Sequence, residues 1–324
     1  MTSKAAVLRA LRVLLVLLAL GFCAYSVASQ WDDTVRAFRQ MSWYTLVGAL
    51  VFGVAGLFAW TLGWRAFMSG LGSPLPLKAA FRISAISGLG KYVPGMVWVV
   101  LTQVELSREH HVPRARSFSA SVLAVATTTA CGLAVAAATL PLTSAAARRE
   151  YWWMFPFAPV LLAALHPKFV TWALNTVLRF ARQSPLEHAV SFGAMSRAAG
   201  WTIVGWLLFG GHLWLLCQSV GGGGLRLVPL AVGSYALAFV AGLLVFIAPG
   251  GLGAREAVLT AVLSPVLPAG APLVVAISSR VVLTIADLLY AGAGVLAGRG
   301  RVVAPADGDA DDARELVTGP PAKE

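Results

Sequence analysis

The chain has 324 residues, 58% of them hydrophobic and 12% charged, which is too apolar for the two soluble domains its length would otherwise imply. Long uncharged runs make it an all-α polytopic transmembrane helical bundle, and the absence of barrel-type alternation excludes a β-barrel. The formal charge of +11 would raise nucleic acid as a partner in a soluble chain, but here the bases flank apolar spans, so orientation and anionic lipid headgroups account for them and no nucleic-acid partner is expected.

Lys4, Arg9 and Arg12 precede an apolar run from Val13 to Ala28. A retained first span with a cytoplasmic N-terminus is the reading adopted; a secretory signal peptide ending near Ser26-Val27-Ala28 is its rival. Residues 29–44 carry Asp32, Asp33, Arg36 and Arg39 without a basic excess and read as an outer loop. Thr45 to Trp64 is the second span, with its Arg65 end in the cytoplasm. Ile83 to Val104 is apolar apart from Lys91 and Gln103, and is broken by Gly88, Gly90 and Pro94-Gly95. Both its ends are basic, so it reads as a re-entrant hairpin with the break at its tip. The rival is a kinked crossing helix with Lys91 reaching to an interface.

Ser117 to Leu140 is a span rich in Ala and Thr, residues that allow close helix approach. Tyr151 to Leu165 is a short crossing that contains Pro156 and Pro159. Polar residues at three- and four-residue spacing from Lys168 to Arg182 predict an amphipathic helix in the cytoplasmic interface. Ala198 to Val220 is the next span, and Gly221 to Gly224 a turn. Val228 to Ala248 leads into a second broken stretch at Pro249-Gly250-Gly251, and Leu273 to Ala297 is the last span, ending in the cytoplasm. The integral membrane part thus covers 1–301, with halves at about 43–140 and 198–298. Residues 302–324 hold six acids and two bases, a net −4 against +15 on the rest, and read as a disordered acidic cytoplasmic tail.

The stretch from Ile247 to Asp287 combines a broken backbone with four ionisable groups, Arg255, Glu256, Arg280 and Asp287. Pro lacks an amide hydrogen and glycine weakens a helix, so the helix breaks there; broken backbone at membrane depth needs protein or a water-filled cavity around it. Buried charges cost roughly 2.5–3.5 kcal/mol each on insertion scales, which points to an internal polar site. Two interrupted segments, at Pro94-Gly95 and Pro249-Gly250, precede long spans in corresponding halves, the pattern of a transporter with an inverted repeat. Lys91, Arg255 and Arg280 are the candidate cations for a lipid phosphate, with Glu256 and Asp287 balancing them. Arg255 and Glu256 are adjacent, and Arg280 and Asp287 lie seven residues apart, so neither pair can meet within its helix; pairing across elements, Glu256 with Arg280, is expected. The competing account makes these charges ion pairs that lock the bundle.

The segments GLGKYVPGMVW (88–98) and APGGLGAREAVL (248–259), with the Arg280 to Asp287 span, resemble the signature regions of the lysylphosphatidylglycerol synthase transmembrane-region family, also described as flippase-like. The resemblance covers roughly residues 7–300. It implies a bacterial inner (plasma) membrane protein that translocates an anionic or aminoacylated phospholipid or a polyprenyl-linked envelope intermediate. The implied substrate-binding residues are Lys91, Pro94, Gly95, Pro249, Gly250, Gly251, Arg255, Glu256, Arg280 and Asp287. The soluble domain that performs synthesis in multidomain relatives is not read here, so synthase activity is not carried over. Relatives also carry acids in the span corresponding to 117–140, where this chain reads SVLAVATTTACG.

No metal or cofactor is expected: His110-His111 has no third partner at ligand spacing, and Cys23, Cys131 and Cys217 sit singly in apolar runs. Nucleotide-loop and nucleophile-elbow patterns do not occur. Two other functions stay open on the sequence: a membrane glycosyl or phosphoryl transferase, and a non-transporting partner of an envelope glycosyltransferase.

Overall fold

The computed structural model describes residues 41–93, 97–143, 190–244 and 251–298, with short pieces and single positions between 35 and 39 and between 149 and 176. The Val13–Ala28 span, the loop before Met41, nearly all of the 168–182 segment and the 302–324 tail lie outside the described residues, as do Pro94, Gly95, Pro249 and Gly250. Nine α-helices follow in order among the described residues: α1 (Trp43–Gly70), α2 (Leu77–Ser87), α3 (Val97–Arg108), α4 (Arg114–Thr139), α5 (Phe157–Ala163), α6 (Phe192–Gln218), α7 (Val228–Leu244), α8 (Ala254–Leu263) and α9 (Ala271–Gly298). Of these, α1, α4, α6, α7 and α9 are long and apolar enough to cross a membrane. The chain is a multi-pass helical membrane protein.

Four helices are too short to cross, the seven-residue α5 among them. At 1.5 Å per residue, the 11 residues of α2, 12 of α3 and 10 of α8 span about 16, 18 and 15 Å against a hydrocarbon core of about 30 Å. Helix α2 packs on α3, and α7 on α8, so each pair is a hairpin. The ion pair between Arg82, midway along α2, and Glu109, just past α3, ties the base half of the first together.

Two boundaries differ from the sequence reading. Helix α1 continues past Trp64 to Gly70 because Arg65 stays inside it and turns its Nε onto Leu75 O at 2.8 Å, across the following loop. The expected crossing at Tyr151–Leu165 is described only as the seven-residue α5, about 10 Å long, which starts just after Pro156 and packs on α4; that length does not span a bilayer.

Helices α1 and α6 form the centre and run antiparallel: Gly48 faces Leu215, Gly56 faces Phe209, Gly205 faces Trp60 and Gly70 faces Ala194. Small residues let the two backbones approach closely enough for a ring from each helix to fill a gap in the other. Trp60 and Phe209 are 149 residues apart, and so are Gly56 and Gly205. The Trp60–Gly205 and Phe209–Gly56 contacts therefore exchange under one pseudo-two-fold rotation. The flanking elements obey it as well. Helix α2 of the first hairpin packs on α9, and α7 of the second packs on α4. Because the central pair is antiparallel, α1–α4 and α6–α9 form an inverted repeat.

Candidate functional site

The tips of both hairpins reach the same helix, α9, which presents Ser279, Arg280, Thr284 and Asp287 to them. At the first tip, a 3-10 turn (Gly88–Tyr92) follows α2 and carries Lys91 and Tyr92 inward. Lys91 Nζ lies 2.6 Å from Asp287 Oδ2, and the Tyr92 hydroxyl donates to the same oxygen at 2.6 Å. The Asp287 side chain is 6% exposed and that of Lys91 36%. The carboxylate is therefore fixed and the ammonium is the accessible partner.

At the second tip, Gly251 and Gly253 take positive φ values of 68° and 85°. A Cβ on Gly251 would stand 2.7 Å from Gly242 Cα, so the returning chain is pressed onto α7. This turn starts α8, and the Glu256 carboxylate serves two partners. Its Oε2 accepts the Gly253 N–H at 2.7 Å, capping the helix start, and its Oε1 accepts Arg280 Nη1 at 2.7 Å. The side chains are 5% and 22% exposed. The structure thus makes the cross-element pair expected from the spacing of Arg255, Glu256, Arg280 and Asp287. It also shows what spacing could not, the pairing of Asp287 with Lys91.

Arg255 leaves this pair and lies over the Tyr235 ring, 4.6 Å from its centroid. Its Nη2 donates to Ser279 Oγ at 3.3 Å, and Ser279 Oγ lies 2.9 Å from His212 Nε2. His212 Nδ1 faces the Phe209 carbonyl, so that nitrogen carries the proton and Nε2 accepts from Ser279. His212 is fully buried. Read from sequence it is one of several scattered histidines; α6 and α9 bring it into the network. Three cations, Lys91, Arg255 and Arg280, therefore face two carboxylates, Glu256 and Asp287, along about 10 Å of α9. The surplus is one positive charge in a low-dielectric setting. Gly251 is placed by the structure in the second tip's turn; Pro94, Gly95, Pro249 and Gly250 fall outside the described residues.

A cavity of about 220 Å³ opens beside the first tip, bounded by α1, α2, α3, α4, α7 and α9. Lys91 and Asp287 line one part of it. Leu57, Trp60, Val99, Val125, Phe239 and Leu243 supply apolar wall, and Thr61, Trp64, Ser84, Gln103, Ser121 and Tyr290 supply polar atoms. Among the described residues no group of three or more His, Cys, Asp or Glu stands at metal-binding distance.

Residues 9–291 match the family described as Lysylphosphatidylglycerol synthase TM region. The chain belongs to that family. Lysylphosphatidylglycerol synthase TM regions are membrane domains associated with lipid handling, and the charged hairpin tips of this one fall inside the matched residues. A comparison with curated proteins returned no match.

Several residues of the site escape a reading of the sequence. Tyr92 follows Lys91, and its hydroxyl reaches Asp287 across 195 residues of chain. Tyr235 and Ser279 look like ordinary residues of apolar helices. The sequence signal that could have found Tyr92 is its place inside GLGKYVPG, one residue from a cation at a helix break.

Proposed function

We propose that this protein moves an anionic phospholipid, or a lipid-linked envelope intermediate with a phosphate, between bilayer leaflets. The observation that carries the reading is the cavity at membrane depth with Lys91 at its charged part, within a cluster holding one more cation than carboxylate. A phosphate oxygen is a competing partner for the Lys91 ammonium, while Asp287 keeps the hydroxyl of Tyr92. Ligand pockets for drug-sized molecules run about 300–1,000 Å³, so a cavity of about 220 Å³ takes a headgroup and leaves the acyl chains in the bilayer.

Charge bias orients the protein. The base of the α2–α3 hairpin gathers Lys78, Arg82, Arg108, Arg114 and Arg116, whereas the base of the α7–α8 hairpin carries Arg226. By the positive-inside rule the first base is cytoplasmic, and the cavity loads from that side of an inner (plasma) membrane. The second, oppositely oriented hairpin of the inverted repeat packs its closed tip on α9.

The test is purified full-length protein in liposomes with fluorescent lipids that differ only in headgroup. Phosphatidylglycerol should cross to the quenched leaflet faster than in empty liposomes, and faster than phosphatidylcholine. No acceleration of any anionic lipid would overturn the proposal, and a covalently altered lipid product would replace it with a membrane transferase.

A further inference from the structure

The cavity has a polar part that neither ion pair uses. The Trp64 indole is 3% exposed, and its Nε1 has no hydrogen-bond partner among the described residues. Other indoles of the bundle do find one: Trp60 Nε1 bonds Thr202 O, Trp206 Nε1 bonds Thr128 O and Trp214 Nε1 bonds Gly224 O. A buried indole N–H ordinarily has a partner, and a rigid ring cannot rotate to find one. Ser84 Oγ, on α2, is likewise buried without a partner, and both residues line the cavity. The other two such atoms, Ser119 Oγ and Thr260 Oγ1, belong to residues outside its lining.

The position of the orphans matters. Ser84 precedes Lys91 by seven residues on the same hairpin arm, about 10 Å toward the hairpin base. Trp64 adjoins Arg65, whose guanidinium bonds Leu75 O in the loop that leads into α2, so the indole also sits toward that base. Gln103 and Ser121 line the cavity from α3 and α4. The cavity therefore has a cation at the hairpin tip and neutral donors and hydroxyls toward the base. Among its lining residues the carboxylate is Asp287, already engaged by Lys91 and Tyr92.

We infer that the site takes a phosphodiester whose headgroup is uncharged and hydroxylated, a glycerol or a sugar, with the phosphate on Lys91 and the hydroxyls on Trp64 Nε1 and Ser84 Oγ. This rests on the phosphate-binding reading above and deepens it. An aminoacyl headgroup would bring an ammonium to a wall that offers it an indole N–H and no free carboxylate. A site built to bond hydroxyls discriminates against the ligand that lacks them, because its own donors are then left unpaired.

The experiment compares dihexanoyl phosphatidylglycerol, phosphatidylinositol, lysylphosphatidylglycerol and phosphatidylmethanol for binding to the purified full chain. Phosphatidylmethanol carries the same phosphodiester charge as phosphatidylglycerol and no headgroup hydroxyl. Phosphatidylglycerol or phosphatidylinositol should bind about tenfold more tightly than phosphatidylmethanol, the worth of one or two net hydrogen bonds; the larger gain tells glycerol from sugar. Trp64→Phe and, separately, Ser84→Ala should bring that ratio toward one while each still binds phosphatidylmethanol; Ser84→Ala, which removes only an oxygen, keeps the test readable where the lost indole volume at buried Trp64 lowers melting. Equal binding of all phosphodiesters, tightest binding of lysylphosphatidylglycerol, or variants that leave the ratio intact because water alone meets these atoms, would each overturn the inference. Lys91→Gln separates the two levels. If it leaves phosphatidylmethanol binding untouched, the phosphate site itself fails. If it abolishes binding while the ratio is one, only the headgroup inference fails.

Discussion

The two hairpins are related by the same pseudo-two-fold rotation, yet they end differently. The α2–α3 tip leaves a cavity and projects an accessible ammonium onto a buried carboxylate. The α7–α8 tip is closed, with Gly251 against Gly242 and one carboxylate shared between a helix start and Arg280. Both fasten to α9, two turns apart. The long helix that α9 matches in the first half, α4, carries no charged residue beyond Arg116 with which to repeat the arrangement. The lesson is that an inverted repeat can keep its packing and divide its chemistry: one tip ties its carboxylate into the fold at the shared helix, and the other leaves its ammonium accessible.

That contrast can be broken most severely at the closed tip. Removing one member of the Glu256–Arg280 pair strands the other, a loss of about 3–5 kcal/mol for a buried pair. Glu256→Gln should show the larger fall in denaturant stability, since it also weakens the α8 cap. Joined with Arg280→Gln it should cost less than the sum of the single changes. Strictly additive losses would mean that the pair does not act as one.

A second, smaller effect separates the glycines. Gly251→Ala must hold a left-handed residue, roughly 1–2 kcal/mol, and also displace Gly242. Gly88→Ala, at the open tip, meets nothing within 4 Å in a right-handed helical conformation and should stabilise by roughly 0.5–1 kcal/mol. Melting temperatures of the two variants should move in opposite directions; a shift of the same sign would remove the distinction between a closed and an open tip. The smallest effect belongs to the base of the first hairpin. Arg82→Gln breaks a surface pair with Glu109 and should cost no more than about 1 kcal/mol. A larger fall in melting would show that this pair holds the hairpin shut.

Much of the architecture is legible in the sequence. Apolar run length marks the long helices, and Pro-Gly at membrane depth marks both breaks, because backbone chemistry there is local. The Glu256–Arg280 contact was legible by exclusion, since helical spacing forbids the nearer alternatives. What stayed hidden depends on packing between distant segments. Lys91 and Asp287 are 196 residues apart, and nothing in either neighbourhood names the other. The stacking of Arg255 on Tyr235, the recruitment of His212 through Ser279 and the unpartnered Trp64 indole all arise from the crossing of helices whose sequences are uniformly apolar. The end of α1 was misplaced because Arg65 reads as an interfacial charge, whereas its guanidinium is used by a loop carbonyl.

The central claim is that Lys91 serves an anionic headgroup and Arg280 serves the fold. The most direct measurement is lipid translocation and thermal melting on the same preparations of Lys91→Gln and Lys91→Arg. The account predicts that Lys91→Gln loses movement of phosphatidylglycerol and lowers melting less than Arg280→Gln does, because Lys91 is more than a third exposed and the buried Asp287 carboxylate keeps the Tyr92 hydroxyl, while Lys91→Arg retains movement. Loss of folding in step with transport, or transport by Lys91→Gln at the parent rate, would contradict it.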